Sequence, residues 1–470
     1  MKERGSETAP AVAVVTLSSF LAPFMASALN VALPAIGKRF AMGAVSMSWV
    51  VTAYVLAAAV FLLPFGRAAD IYGRKKIFLW GMIVYTFGSL LSAVALSPGV
   101  LIAARVINGA GAAMSFATGT AILMSVVSMR KRGSVLGWNV AAVYMGLSVG
   151  PFLGGIITHD LGWRWIFILN AAVGMAAAIF TAWKLKGEWA NAGGERLDAA
   201  GSVIYAATLV ALMCGFSWLP GSRGAMLLLA AALGAVLFVR RELRCTNPVF
   251  DFRAFAGNPV FTFSNLAALI NYSATAAVTF LLSLYLQYEK GFTPQQAGLV
   301  LVVQPILMAV FSPLAGRLSD RTDAGRLASA GMLLTVVGLV IFCFLRPGTN
   351  LAVVVTGLAV LGLGFALFSS PNTNAVMSSV DPRYYGIASG VLSTMRLIGQ
   401  MLSMGIVMFL LALFLGGAPI TPALYPLFMK AFKLSFAVCV ALCVLGIFAS
   451  LARGRTAAAD PLGDGEPPHC

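Results

Sequence analysis

Charge is scarce in this sequence: 10% of its 470 residues are Asp, Glu, Lys or Arg, against about 25% in soluble globular proteins. That excludes an ordinary soluble domain. Carboxylates are scarcer still, 16 in all, and none falls in the middle of an apolar run. Histidine is confined to His159 and His469, both outside those runs. No metal cluster or Ser-His-Asp arrangement can be built from them, so neither an enzyme nor a cofactor is expected. A phosphate-binding G-x-x-x-x-G-K-[ST] loop is missing too, which argues against ATP-driven work. The six cysteines, Cys214, Cys245, Cys343, Cys439, Cys443 and Cys470, lie mostly inside apolar runs, where a thiol behaves as a small hydrophobe. They suggest neither a disulfide framework nor a metal site.

Apolar residues are what the chain does have. Hydrophobic residues make up 60%, and the mean hydropathy is +0.90. About 20 apolar residues span the hydrocarbon of a bilayer, and fourteen such runs are predicted: Ala11–Leu33, Met47–Phe65, Ile77–Leu96, Val100–Leu123, Ser134–Ile157, Ile166–Trp183, Ala199–Leu219, Ala225–Val239, Val260–Leu286, Ala297–Leu314, Leu327–Leu345, Leu351–Ser370, Ile387–Leu415 and Leu434–Leu451. The fold class is an all-α polytopic membrane protein. A β-barrel would show strands of about ten alternating residues instead. MKERGSETAP mixes acids with bases, and the run after it is too long for a signal-peptide core, so a retained first span is expected.

Net charge is +16 with a pI near 9.9. In a soluble protein this would point to nucleic acid; here the basic residues lie in short loops and read as topology signals. Placing both termini in the cytoplasm puts most Lys and Arg there, with Lys38 and Arg39 as a mildly discordant outer pair. The expectation is a monomeric multi-pass protein of the cytoplasmic membrane whose partners are lipid and a small-molecule substrate, with proton coupling left open.

Two cytoplasmic loops repeat. GRAADIYGRKK carries Gly66, Arg67, Asp70, Gly73 and Arg74; GRLSDRTDAGR carries Gly316, Arg317, Asp320 and Arg326. Both run Gly-Arg-x-x-Asp and close on Gly-Arg, so the chain reads as duplicated. Each Asp is expected to lock two helices by accepting from helix N-termini and arginines. The expected organisation is a six-helix bundle over 1–185, a linker with two further helices over 186–258, a second six-helix bundle over 259–452, and a cytoplasmic tail over 453–470.

These features resemble the major facilitator superfamily over essentially the whole length. The first loop is similar to that superfamily's signature between helices two and three. LIAARVINGAGAA resembles its fourth-helix motif, with Arg105 at the arginine position. GLSVGPFLGG resembles the fifth-helix motif of exporters; Gly146, Gly150, Pro151, Gly154 and Gly155 form the expected helix-five gate. NVALP, from Asn30 to Pro34, is similar to the end of a first-helix motif of fourteen-span drug:proton antiporters. There the resemblance implies an Asp five positions before the Asn, where this chain has Met25.

Arg105 and Arg396 are the charges predicted inside spans, one in each half. A charge at mid-bilayer costs roughly 3 kcal/mol or more and normally faces a cavity or a partner. With Asn30, Asn108, Tyr144, Gln304 and Asn372 they form the expected substrate cavity. Further polar candidates are Asn139, Asn271, Tyr285, Gln287 and Asn374. The leading expectation is a secondary transporter that exports small, largely apolar or drug-like compounds by alternating access. The alternative is a carrier that exchanges or takes up organic anions through Arg105 and Arg396.

Overall fold

The computed structural model describes residues 2–127, 132–190, 195, 197–245, 257–381 and 385–453. The expected 453–470 tail lies outside these residues except for Arg453, as do His469 and Cys470. Among the described residues, fourteen helices are long and apolar enough to cross a membrane. They are α1 Thr8–Phe40, α2 Ala44–Tyr72, α3 Arg74–Ala93, α4 Pro98–Val126, α5 Gly137–Asp160, α6 Arg164–Lys184, α7 Ala199–Trp218, α8 Ser222–Glu242, α9 Pro259–Glu289, α10 Pro294–Ser319, α11 Ala324–Cys343, α12 Leu351–Ser378, α13 Ile387–Leu415 and α14 Pro422–Ala452. Helices are what lipid demands, since a backbone without water must satisfy its own hydrogen bonds. Their starts follow local chemistry. Ser97, Asp198, Asn258, Asp323 and Asn350 accept from the first-turn N–H groups of α4, α7, α9, α11 and α12, and Thr293 with Gln296 builds a capping box at α10.

Several boundaries differ from the sequence reading. The eighth run extends to a full-length helix, and the fourteenth begins at Pro422, taking Lys430 and Lys433 into α14. Lys38 and Arg39 sit in the last turn of α1 rather than in a loop. Long basic side chains lay their stems along apolar surface, and a helix C-terminus favours a cation. α9 departs from regularity near its end, where Tyr285–Glu289 forms a π turn.

Packing repeats across the duplication. In the first half α1 packs on α4, α5 and α6, α4 on α2 and α3, and α3 on α6. In the second α9 packs on α12, α13 and α14, α12 on α10 and α11, and α11 on α14. The architecture is therefore two six-helix bundles plus two inserted helices. The halves meet through α2 with α13, α5 with α10, and α1 with α9. α7 seats on the seam against α2 and α13: Tyr205 donates to the carbonyl of Ala59, and the indole of Trp49 donates to Ser217. α8 packs chiefly on α7 and exposes Met226, Leu229, Leu233 and Leu237.

Candidate functional site

The halves are tied together at the end of the bundle opposite the termini. Pro34 sits inside α1 and has no N–H, so the carbonyl four residues earlier, that of Asn30, loses its helical partner. Ser283 Oγ from α9 donates to that carbonyl at 2.6 Å. Gln287 Nε2 donates to the next carbonyl, Val31 O, at 2.9 Å and to Ser283 Oγ at 3.0 Å. Asn30 thus acts here through its backbone, while its buried side-chain oxygen has no partner. Gln287 was legible as a polar residue of a span. Ser283 was not, because an isolated serine in an apolar run carries no signal until its partner is known. Met25, at the position where the resemblance implies an acid, is 0% exposed within an apolar cluster drawn from both halves.

The helix-five glycines divide by what they face. A Cβ on Gly146, Gly150 or Gly154 would overlap Phe20, Ser27 or Ala28 of α1, inside the first half. A Cβ on Gly155 would meet Pro294 and Gln295 of α10, and one on Gly298 would overlap the carbonyl of Pro151. Of the five, Pro151 and Gly155 face the other half, and the remaining three seat α5 on α1.

The two arginines fare differently. Arg105 is 1% exposed. Its Nε donates to Val50 O at 3.2 Å, its Nη1 to Asn108 Oδ1 at 2.5 Å, and its guanidinium lies 4.4 Å from the Tyr54 ring centroid. Asn108 donates in turn to Tyr85 O and Ser89 Oγ of α3. This corrects the cavity expectation for both residues: they join α2, α3 and α4 inside one bundle. Asn372 is corrected likewise. It is buried, donating to Ser264 O and accepting from Arg453, so it too is a bundle strut. Gln304 is buried where α10 passes Gly362 of α12.

Arg396 has fewer protein partners. Its Nη2 donates to Thr373 Oγ1 at 2.6 Å, its guanidinium lies 5.7 Å from the Tyr272 ring centroid, and its buried Nε has no partner. Tyr272 packs edge-on against Phe365 at 5.3 Å. Phe365 clusters with Met308 and with Tyr144, which comes from α5 of the other half.

At the termini end the duplicated loops part ways. Asp70 accepts from Arg74 Nε and Nη2 at 3.0 and 2.8 Å, and Arg74 Nη1 reaches Ser125 of α4 at 3.0 Å. Glu188 accepts from the backbone N–H groups of Lys75 and Lys76, capping α3 from beyond α6. Gly73 has φ +113°, and a Cβ there would overlap Glu188. Arg67 pairs with Glu195, while Gly66 passes Ala117 of α4 loosely. In the second loop Asp320 accepts from Asn374, not from an arginine, at 3.0 Å. Asp323 caps the N–H groups of Gly325 and Arg326, Arg317 is exposed, and Gly316 faces Ser370. The arginine lock expected in both loops is therefore observed in the first. Two residues nearer the helix start than its Gly-Arg, Asp323 supplies the second loop with its own cap.

Arg453, placed by the sequence in the tail, is 1% exposed and binds Ser450, Ser264 and Asn372. It ties the end of α14 to α9 and α12. Burial lowers it to about 10 and Asp323 works the other way, so it stays charged at neutral pH.

Comparison with known proteins agrees with this geometry. Residues 15–404 match the family model described as Major Facilitator Superfamily. The riboflavin transporter RibZ of Clostridioides difficile (strain 630) is 29% identical over 383 residues, 82% of this chain and 84% of its own. The multidrug resistance protein Stp of Mycobacterium tuberculosis (strain ATCC 25618 / H37Rv) is 31% identical over 394 residues, 82% and 73%. The crystal structure of a bacterial homolog to the human lysosomal transporter Spinster, in an inward-facing and unoccupied conformation, superposes with a TM-score of 0.69 at 17% identity, covering 95% of this chain and 97% of that one. Duplicated bundles, fourteen membrane-length helices and these relatives together establish that the chain belongs to the major facilitator superfamily of transporters, on the plan of its fourteen-span drug transporters.

Proposed function

We propose that this protein works as a monomer in the cytoplasmic membrane, termini in the cytoplasm, and exports small, largely apolar or drug-like compounds by alternating access. The moving bodies are 1–185 and 259–452, with 186–258 as the linker that carries α7 and α8. One observation carries the reading: the polar and glycine contacts between the halves, Ser283 to Asn30, Gln287 to Val31 and Gly298 to Pro151, gather at the end away from the termini. A pathway closed there loads from the cytoplasm. The exposure of Trp138, Val140 and Met145 on the termini side of α5 supports the same state. Rocking the halves would break these contacts and close the other end. The drug-resistance name of one relative favours export.

Because Met25 is buried among apolar side chains, a coupled proton would ride elsewhere. The test is purified protein in liposomes facing a panel of fluorescent dyes, with and without an imposed pH gradient. Expulsion of apolar dyes supports export, and gradient dependence supports proton coupling. A folded, correctly inserted protein that moves no dye would sink the reading.

A further inference from the structure

We infer that Arg396 is the receptor for the acid group of an aromatic, anionic substrate. The inference rests on the transporter reading above and names the substrate class of its chamber. Three observations converge on it. First, the guanidinium is partly buried in the first third of α13, and among the described residues no carboxylate pairs with it. Burying a charge is costly unless it is paired, and a fold that keeps one unpaired holds it for something else. Second, the buried Nε has no partner, while Nη2 is held by Thr373. Buried donors are nearly always satisfied, so an orphan beside an anchored one leaves room for an incoming acceptor. A guanidinium presents a planar set of donors that fits a carboxylate, and the hydroxyl of Thr373 fixes its orientation.

Third, the surroundings are aromatic and belong to both halves. Tyr272 lies beside Arg396, Phe365 stands edge-on to Tyr272, and Met308 and Tyr144 complete the cluster. A Cβ on Gly399, one turn along α13, would overlap the carbonyl of Leu269, so this glycine lets α13 lie close against α9 beside Tyr272. An acid at Arg396 with an aromatic body against these rings touches α9, α10, α12 and α13 on one side and α5 on the other. Such a ligand bears on the seam that must move. Arg105, by contrast, spends Nε and Nη1 inside the first bundle and has no orphaned buried nitrogen, so the anion site has one arginine and not two.

The test uses three probes of one shape: 2-naphthoate, its methyl ester and 2-naphthylmethylamine. Binding to the full-length protein is measured at neutral pH in phosphatidylcholine nanodiscs. The wild type is expected to hold the acid about tenfold tighter than the ester, the size of one charge-assisted hydrogen bond, with the amine weakest. Arg396→Gln should bring acid and ester within about twofold of each other; Arg396→Lys, which keeps charge but loses the planar donors, should fall between. Equal binding of acid and ester by the wild type overturns the proposal, as does an acid preference that survives in Arg396→Gln. If anionic lipid is the occupant, phosphatidylglycerol will bind through Arg396 while acid and ester are not told apart, and that outcome also overturns it. The exporter reading is scored separately, by the dye panel, so the two can fail independently.

Discussion

Ser283 Oγ lies 2.6 Å from the carbonyl oxygen of Asn30, a hydrogen bond that runs from the second half of the molecule to the first. The carbonyl is available because Pro34 cannot donate to it. A helix break in one half is thereby satisfied by a side chain of the other, and only while the halves are closed at that end. Removing the donor with Ser283→Ala should cost about 1 kcal/mol of that closure, roughly a fivefold shift in population toward opening. Spin-label distances between α1 and α9 at that end will read it; an unchanged distribution would count against the latch. Pro34→Ala restores an intrahelical donor to Asn30 and should shift the same distances the same way.

Glycines at two places on α5 separate folding from gating. Gly150→Ala adds a methyl where Ser27 already sits, inside one bundle. Overpacking of this kind costs about 1–3 kcal/mol, so the variant should melt earlier in detergent with its conformational balance little altered. Gly298→Ala places the methyl against Pro151 across the seam. Its melting temperature should hold while the α5–α10 distance opens. If both variants merely melt earlier, the distinction fails.

Arg105 behaves as a strut. Arg105→Ala orphans Asn108 Oδ1 and removes the second donor at Val50 O, at about 1–3 kcal/mol for a buried group left without a partner. The expected phenotype is a lower melting temperature and less folded protein. Dye affinity, measured on the fraction that folds, should be unchanged. Arg105→Lys should rescue poorly, since an ammonium lacks the planar set of donors that reaches both acceptors. A stable variant with weakened affinity would return Arg105 to the chamber.

Acid should loosen the inserted pair. Asp198 caps α7 and accepts from Arg241 of α8 at 2.7 and 3.0 Å. Hydrogen bonding to Arg241, and secondarily to the backbone of Gly201, holds its carboxyl below the usual carboxylate range against the opposing effect of burial. A carboxyl held low in the folded state contributes stability that is complete above its unfolded value, near 4, and is lost as the pH falls through the depressed folded value. Hydrogen exchange at the start of α7 should therefore quicken below about pH 4. Asp198→Asn should show fast exchange already at neutral pH and little further change with acid.

The membrane class, the number of spans and the duplication were legible because they rest on patterns local in the chain: runs of apolar residues, and a loop motif written twice. The family resemblance was legible for the same reason. Site roles were less so. Arg105, Asn108 and Asn372 look like chamber residues in sequence, since a polar residue in a span is conspicuous whichever way it points. Helical periodicity does not say which face meets the sister helices and which the seam. Arg453 read as tail because nothing in the chain shows where α14 ends relative to Ser264 and Asn372.

The sequence by itself determined that the chain crosses a membrane fourteen times, in two similar halves, with an uncharged residue at position 25 and a proline at position 34. Those are consequences of composition and order along the chain. Only the tertiary structure decided that the carbonyl released by Pro34 meets Ser283, 253 positions away, and that of two intramembrane arginines one is satisfied and one has a donor to spare. A hydrogen bond needs both partners within about 3 Å, and which distant residues come that close is settled by how the helices pack.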